Sequence, residues 1–272
     1  MKVLNKIFRF YIESSLHVSL AICALTAVTV LTYKTDWEWT TFAFIFFASI
    51  TGYNFVKYAG QAKLHHRSLT NQLKTIQIFS LFCFLGLVYF FFRQSANFIW
   101  TTLVLGGFTF FYAVPFLPHK KNLRRLKGLK IFIIALVWTG ATLWLPLVNH
   151  YPLFSLPVIL GSLSYFFFVL ALILPFEIRD VIYDDAELGT LPQRFGVDTT
   201  KKTGYVFLLI FVILTLLNTG LEIPEMLIRF TVALATGVFI FFSEKSQNRY
   251  YAAFWVEAVP ILWFGLSWIA NQ

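Results

Sequence analysis

The sequence is poor in charged residues. Only 13% of its 272 residues are Asp, Glu, Lys or Arg, whereas 58% are hydrophobic and 19% are aromatic. A soluble domain of this length has too little interior to remove so much apolar surface from water. The shortage of charge therefore excludes an ordinary soluble domain, and we expect the surplus apolar surface to face lipid.

Cysteine is also scarce. Cys23 and Cys83 each lie inside an apolar run, and two isolated thiols form neither a CxxC pair nor a Cys/His ligand set. The sequence therefore indicates no thiolate metal site and no redox site.

Long apolar runs fill most of the chain, and a helix needs roughly 20 apolar residues to cross a bilayer. Nine runs have about this length, at residues 11–33, 38–58, 75–92, 97–117, 130–149, 154–177, 203–220, 224–242 and 251–270. No Gly/Ser linker or charge block divides them. The sequence predicts an all-α, polytopic membrane helical bundle of about nine transmembrane helices, forming a single domain over residues 1–272.

The basic residues lie on one side of this topology. With a cytoplasmic N-terminus, all of the 22 Lys and Arg residues fall in cytoplasmic segments except Lys34, Arg93 and Arg229. Cytoplasmic loops of membrane proteins carry an excess of Lys and Arg, so the net charge of +9 reflects topology. We expect membrane lipids and no nucleic acid as partners, and a bacterial inner membrane as the location.

The most informative segment is residues 175–196, where an apolar run ends in an acidic loop, PFEIRDVIYDDAELGTLPQRFG. If the helix continues past Glu177, Asp180 and Asp184 lie at i and i+4 on one face. Two such carboxylates are suited to Mg²⁺ together with the phosphate oxygens of a substrate. A solvated acidic helix end is the alternative.

This segment resembles the second aspartate motif of the UbiA superfamily of membrane prenyltransferases, a DxxxD pair followed by Thr-Leu-Pro and Gly. The matching residues are Asp180, Asp184, Thr190, Leu191, Pro192 and Gly196. The resemblance implies a UbiA-like bundle whose cytoplasmic helix ends bind the diphosphate of a lipid, with Asp180 and Asp184 as metal ligands.

The first motif of that family is only half present, at residues 50–70. Asn54 and Arg67 match, but Phe55, Tyr58 and Ala62 stand where aspartates are expected. Half of the implied metal site is therefore missing. Lys57 and Arg67, together with Lys63, are candidates for direct contact with diphosphate oxygens, although positive-inside topology also accounts for these cations.

A third segment, residues 111–130, resembles the family's Tyr-Pro-basic loop. Tyr112 and Pro115 close a span, and a basic cluster follows that ends at Lys130. We expect Lys130 to join Asn54, Lys57 and Arg67 in diphosphate binding.

Within the apolar runs, three ionisable residues stand out. Glu13 and His17 are one helical turn apart, close enough for a pair near the cytoplasmic edge, while Glu257 stands alone in the last run. Such groups are candidates for function, and a satisfied pair is the alternative.

The resemblance implies transfer of a prenyl group from a prenyl diphosphate to an aromatic or lipophilic acceptor, with Mg²⁺ as cofactor. The missing acids leave a second reading open, a noncatalytic relative that binds an isoprenoid lipid or serves as a partner subunit. Enzyme activity is therefore undecided by the sequence. Secondary transport fits less well, because the acids cluster at the membrane edge rather than at its middle.

Overall fold

The computed structural model describes residues 2–58, 71–115, 122–126, 128–184 and 188–272. Within these ranges the regular structure is helical. The helices are α1 (Lys2–Glu13), α2 (Leu16–Tyr33), α3 (Trp39–Tyr58), α4 (Asn71–Phe91), α5 (Ala96–Ala113), α6 (Lys130–Leu147), α7 (Leu156–Asp180), α8 (Leu191–Leu217), α9 (Ile223–Phe241) and α10 (Tyr251–Ala270).

Of the helices in the described ranges, nine, α2 to α10, are long and apolar enough to cross a bilayer. A helix suits this environment because it satisfies its own backbone hydrogen bonds where no water is available. The predicted all-α, multi-pass bundle with nine spans is confirmed.

The spans differ in how much protein surrounds them. In α2 and α6, 67% and 61% of the spanning residues are buried, compared with 11% in α4 and 17% in α5. The outer face of α4 exposes large apolar side chains such as Leu81, Phe82 and Leu85. α2 and α6 therefore lie at the centre of the bundle, and α4 and α5 present most of their surface to lipid.

The first span starts later than predicted. The apolar run at 11–33 is broken because Ser15 adopts a left-handed conformation, with φ of 65°, which is unfavourable for a residue with a Cβ. α1 is consequently a separate helix. Its Phe8 ring packs edge-on against the Phe254 ring of α10, with the ring centroids 5.2 Å apart. The apolar run predicted a single helix here because α1 and α2 both have apolar residues next to the break.

The seventh span starts earlier than predicted. α8 begins at Leu191 rather than at 203, and Gly196 interrupts its first turns with φ of 81°. The charged residues Arg194, Lys201 and Lys202 lower the hydropathy of this segment, so the part of the helix that extends beyond the apolar core was not predicted.

The bundle has two distinct ends. At one end, which we call the charged end, α3 and α7 finish and α6 begins. Arg249 pairs there with Glu13, and the Tyr58 hydroxyl donates to the Glu13 carbonyl oxygen at 3.0 Å. At the opposite end, Lys34 pairs with Glu222 at 2.7 Å.

A buried arginine links α9 and α10 in the half of the bundle away from the charged end. Arg229 is 2% exposed, and its Nε lies 3.1 Å from Oε1 of Glu225. Glu225 also accepts from Trp263 Nε1 at 3.1 Å and from Ser267 Oγ at 2.9 Å. The guanidinium lies 5.1 Å from the centroid of the Trp263 ring. The charge is therefore paired and hydrogen-bonded, as a buried ion requires.

The contact between α2 and α7 depends on a glycine. A Cβ on Gly161 would overlap the Tyr33 hydroxyl oxygen and lie 3.1 Å from Leu143 Cδ1. That hydroxyl donates to the Pro157 carbonyl oxygen at 2.9 Å. We expect Gly161→Ala to lower the free energy of unfolding by roughly 1–3 kcal/mol, the usual effect of overpacking, measured by thermal unfolding in detergent.

Gly106→Ala is the matched control, because a Cβ at Gly106 meets nothing within 4 Å. Alanine is the better helix former, so this variant should be as stable as the wild type or slightly more stable. Equal unfolding temperatures for Gly161→Ala and the wild type would contradict the proposed packing.

Candidate functional site

The acidic residues of the predicted second motif lie at the charged end. α7 continues past Glu177 to Asp180, which meets the condition under which Asp180 was placed at a helix end. The backbone nitrogens of Tyr183 and Asp184 then both donate to the Asp180 carbonyl oxygen, at 2.9 and 2.7 Å. Asp184 therefore lies one turn beyond Asp180, in the turn that follows the helix rather than inside it.

Lys130, the first residue of α6, lies between two of these acids. Its Nζ is 2.8 Å from Oε1 of Glu177 and 2.8 Å from Oδ2 of Asp184. The three side chains are 11%, 2% and 9% exposed. The ammonium group therefore bridges two shielded carboxylates and joins the start of α6 to the end of α7.

Two arginines complete the pairing of these acids. Nη2 of Arg124 lies 3.6 Å from Oδ1 of Asp184, and Nε of Arg179 lies 2.7 Å from Oδ1 of Asp180. Each described carboxylate at this end of α7 thus has a cationic partner from the chain itself. The partner of Glu177 could not be deduced from the sequence, because the pairing with Lys130 joins residues far apart in the chain.

Asn54, at the end of α3, lies among backbone and hydroxyl groups and is 3% exposed. Its Nδ2 donates to the Ser14 carbonyl oxygen at 3.0 Å and to Ser80 Oγ at 2.8 Å. Its Oδ1 accepts from Ser15 Oγ at 2.8 Å. The amide therefore links Ser14 and Ser15, at the break between α1 and α2, to α3 and α4. Contact of Asn54 with a diphosphate stays a prediction.

Lys57 lies next to this network. Its Nζ donates to Ser15 Oγ at 2.9 Å, and its side chain is exposed. Lys57 also interacts electrostatically with Glu257 of α10 and with Arg179 of α7. The ends of α3 and α7 and the first turns of α10 therefore lie near one another, which brings Lys57, Arg179 and Glu257 into one charged region.

Glu257 belongs to this region and does not stand alone, contrary to the sequence-based expectation. It lies directly after the π-helical turn Tyr251–Val256, and it interacts with Lys57 and Arg179. Across from it, burial and then the Glu257 carboxylate raise the pKa of the Tyr11 hydroxyl in α1 above its usual value. Proximity between helices so distant in sequence could not be deduced from the sequence.

The predicted pairing of Glu13 with His17 is wrong. The His17 ring contacts the Tyr11 hydroxyl through Nδ1 at 2.7 Å and the Phe254 carbonyl oxygen through Nε2 at 2.8 Å, so neither ring nitrogen is left for Glu13. The break at Ser15 turns α1 away from the axis of α2, which separates residues that would be neighbours in one continuous helix.

Arg67 and Lys63, the other predicted diphosphate contacts near α3, lie outside the described residues. Among the described positions of the first motif, Phe55 is 39% exposed, and the Tyr58 hydroxyl is hydrogen-bonded to the Glu13 carbonyl oxygen. These side chains supply no carboxylate to a metal ion.

The described residues do not fit the Mg²⁺ that the resemblance implies. Across these residues, no group of three or more His, Cys, Asp or Glu side chains is arranged to hold a metal ion. Asp184 meets Lys130 with one oxygen and Arg124 with the other, whereas Mg²⁺ requires free oxygen ligands in octahedral geometry. Mg²⁺ binding by Asp180 and Asp184 stays a prediction, and the observed pairing opposes it.

Comparison of the sequence with models of protein families and with curated proteins finds no match. Comparison of the structure does find matches. A UbiA homolog from Aeropyrum pernix K1 superposes with a TM-score of 0.66 at 14% identity, over 93% of this chain and 97% of that chain.

A structure concerning a digeranylgeranylglyceryl phosphate synthase in membranes also matches. It superposes with a TM-score of 0.58 at 15% identity, over 100% of this chain and 98% of that chain. At such low identity the similarity establishes the fold alone. This fold is UbiA-like, as predicted, and it extends over nearly the whole length of both structures.

The buried position of the Lys130 bridge leads to a stability prediction. Lys130→Gln leaves Glu177 and Asp184 without their shared cation, and an unpaired buried charge destabilises by roughly 3–5 kcal/mol. We therefore expect a markedly lower unfolding temperature for this variant in detergent and chelator.

Lys34→Gln is the control, because it breaks an ion pair of equally short distance in which the side chains are 73% and 65% exposed. Exposed pairs contribute little to stability, so no measurable change is expected. Similar unfolding temperatures for the two variants would show that the Lys130 bridge is not buried in solution.

Proposed function

We propose that this protein is a UbiA-like membrane prenyltransferase that transfers a prenyl group from a prenyl diphosphate to an aromatic or other lipophilic acceptor. The observation that carries the proposal is the charged end of a UbiA-like bundle. Lys57 and Arg179 come together there from α3 and α7, beside the paired acids of the DxxxD segment.

The geometry supports a division of the substrate between two environments. The diphosphate would lie at the charged end, where ammonium and guanidinium groups donate charge-assisted hydrogen bonds to its oxygens. The isoprenoid tail would extend among the apolar helices. In the neighbour named as a digeranylgeranylglyceryl phosphate synthase, the product name contains geranylgeranyl chains, which agrees with a ligand of this class.

The reaction requires stabilisation of the leaving group. The bond between the allylic carbon and the diphosphate oxygen breaks, the same carbon bonds to the acceptor, and the acceptor loses a proton. Negative charge grows on the diphosphate as that carbon becomes cation-like, and fixed cations aimed at this charge lower the barrier. Lys57 and Arg179 are the described residues that we assign to this role.

We further propose that the charged end faces the cytoplasm of a bacterial inner membrane. The excess of Lys and Arg in the segments that lead to this end supports the assignment. A water-soluble diphosphate head group would then be reached from the aqueous side.

A second candidate function is supported by the pairing of the acids. Because the carboxylates of Glu177, Asp180 and Asp184 are all neutralised by cations of the chain, the bundle also suits a noncatalytic relative that binds an isoprenoid lipid without transferring it. Product formation distinguishes the two functions, whereas binding is common to both.

The first test is binding of radiolabelled geranylgeranyl diphosphate to purified protein in detergent, followed by incubation with lipophilic phenols and alcohols. Lys57→Gln removes one charge-assisted hydrogen bond, so we expect about 10-fold to 100-fold weaker binding. Lys34→Gln makes the same change at the opposite end of the bundle and should bind like the wild type.

Binding with prenylated product supports the transferase, and saturable binding without product supports the noncatalytic relative. If the wild type shows no saturable binding, both proposals fail. Equal affinity of Lys57→Gln and the wild type would remove Lys57 from the site.

A further inference from the structure

The position of Lys130 has a meaning beyond stability. Its ammonium group lies 2.8 Å from one oxygen of Glu177 and 2.8 Å from one oxygen of Asp184, and it belongs to a different helix from both. Asp184 is one of the two predicted ligands of a divalent metal, and a cation already holds one of its oxygens. Here the cation is covalently part of the chain.

Among the described residues at this end of α7, the charges are balanced without a metal, because three cations of the chain lie against three carboxylates. The pairs are Lys130 with Glu177 and Asp184, Arg124 with Asp184, and Arg179 with Asp180. A divalent ion would add charge to a set that is already neutral.

A metal would also have to displace Lys130 from its place. The Lys130 side chain is only 11% exposed, so its ammonium would lose its partners in a place where few water molecules can replace them. On the facing helix, Phe55 and Tyr58 offer no carboxylate to offset that loss. Metal binding is therefore opposed by both the charge and the burial of Lys130.

We propose that Lys130 replaces the divalent metal at the end of α7, so that this protein binds the anionic head group of its lipid with the cations of the chain and without Mg²⁺. The proposed exclusion of the metal is argued only from the ion pairs of Lys130 with Glu177 and Asp184 and of the arginines beside them. The identity of the lipid rests on the proposed function. Lys57, whose Nζ donates to Ser15 Oγ at 2.9 Å, supplies the charge for the head group, and Arg179, whose Nε is paired with Asp180, supplies its other guanidinium N–H donors.

The test of metal exclusion uses Mn²⁺, which carboxylates bind as they bind Mg²⁺ and which electron paramagnetic resonance detects directly. It is carried out without lipid, on the wild type, Asp180→Asn/Asp184→Asn, Lys130→Gln and Lys130→Gln/Asp184→Asn. We expect no stoichiometric Mn²⁺ on the wild type at millimolar concentration.

Lys130→Gln should gain one Mn²⁺ site. Its affinity for Mn²⁺ should be at least about tenfold higher than that of the wild type, because a positive charge a few ångström from the carboxylates is gone. Mn²⁺ should also raise the unfolding temperature of this variant, since a ligand that binds only the folded state stabilises it. Both effects should disappear in Lys130→Gln/Asp184→Asn.

One result would overturn the proposal even if Lys130→Gln fails to fold. This is a stoichiometric Mn²⁺ site on the wild type that is lost in Asp180→Asn/Asp184→Asn. The absence of such a site supports the proposal, as does a gained site in Lys130→Gln.

A second arm measures binding of geranylgeranyl diphosphate in chelator and in millimolar Mg²⁺. Equal affinity in the two buffers supports metal-independent binding, and a tenfold or greater loss in chelator overturns it. If the lipid does not bind in either buffer, the proposed function fails, and the claim of metal-independent lipid binding fails with it. The Mn²⁺ measurement still decides whether Lys130 excludes the metal.

Discussion

A charged ammonium group persists inside a membrane protein only where other groups replace the water that it has lost, and Lys130 meets this condition through Glu177 and Asp184. This bridge fixes the start of α6 against the end of α7, and it determines where the turn after α7 lies. The candidate site at the charged end depends on it, because the bridge holds Asp184 beside the start of α6, where Arg124 also lies 3.6 Å from Asp184.

Two buried charge clusters in the described part of the chain differ in what surrounds them. Arg229 and Glu225 are enclosed by Trp263, Ser267 and other side chains that satisfy them, so this cluster serves helix packing. The cluster at the charged end adjoins Lys57, whose side chain is exposed. Exposure next to a fully paired network is what makes the charged end the better candidate for binding an anionic group.

The side chains of Phe55 and Tyr58 on α3 and the cation on α6 bear on the same charge balance. A site with carboxylates on both α3 and α7 would repel itself unless metal ions neutralised it. With Phe55 and Tyr58 on α3, the remaining acids of α7 require less positive charge, and Lys130 and the two arginines supply it. Among the described residues, the charge at this end of α7 is therefore balanced by side chains alone.

The sequence by itself determined the membrane class, the nine spans and the UbiA-like fold, because runs of about 20 apolar residues and the placement of Lys and Arg are local properties that lipid and topology dictate. It also located Asp180 and Asp184 at the end of a span. Only the tertiary structure decided that Lys130 neutralises Asp184 and Glu177, that Asn54 is used to hold Ser14 and Ser15, and that Glu257 faces Lys57. These contacts join residues far apart in the chain, and their geometry follows from how the helices pack rather than from any pattern along one of them.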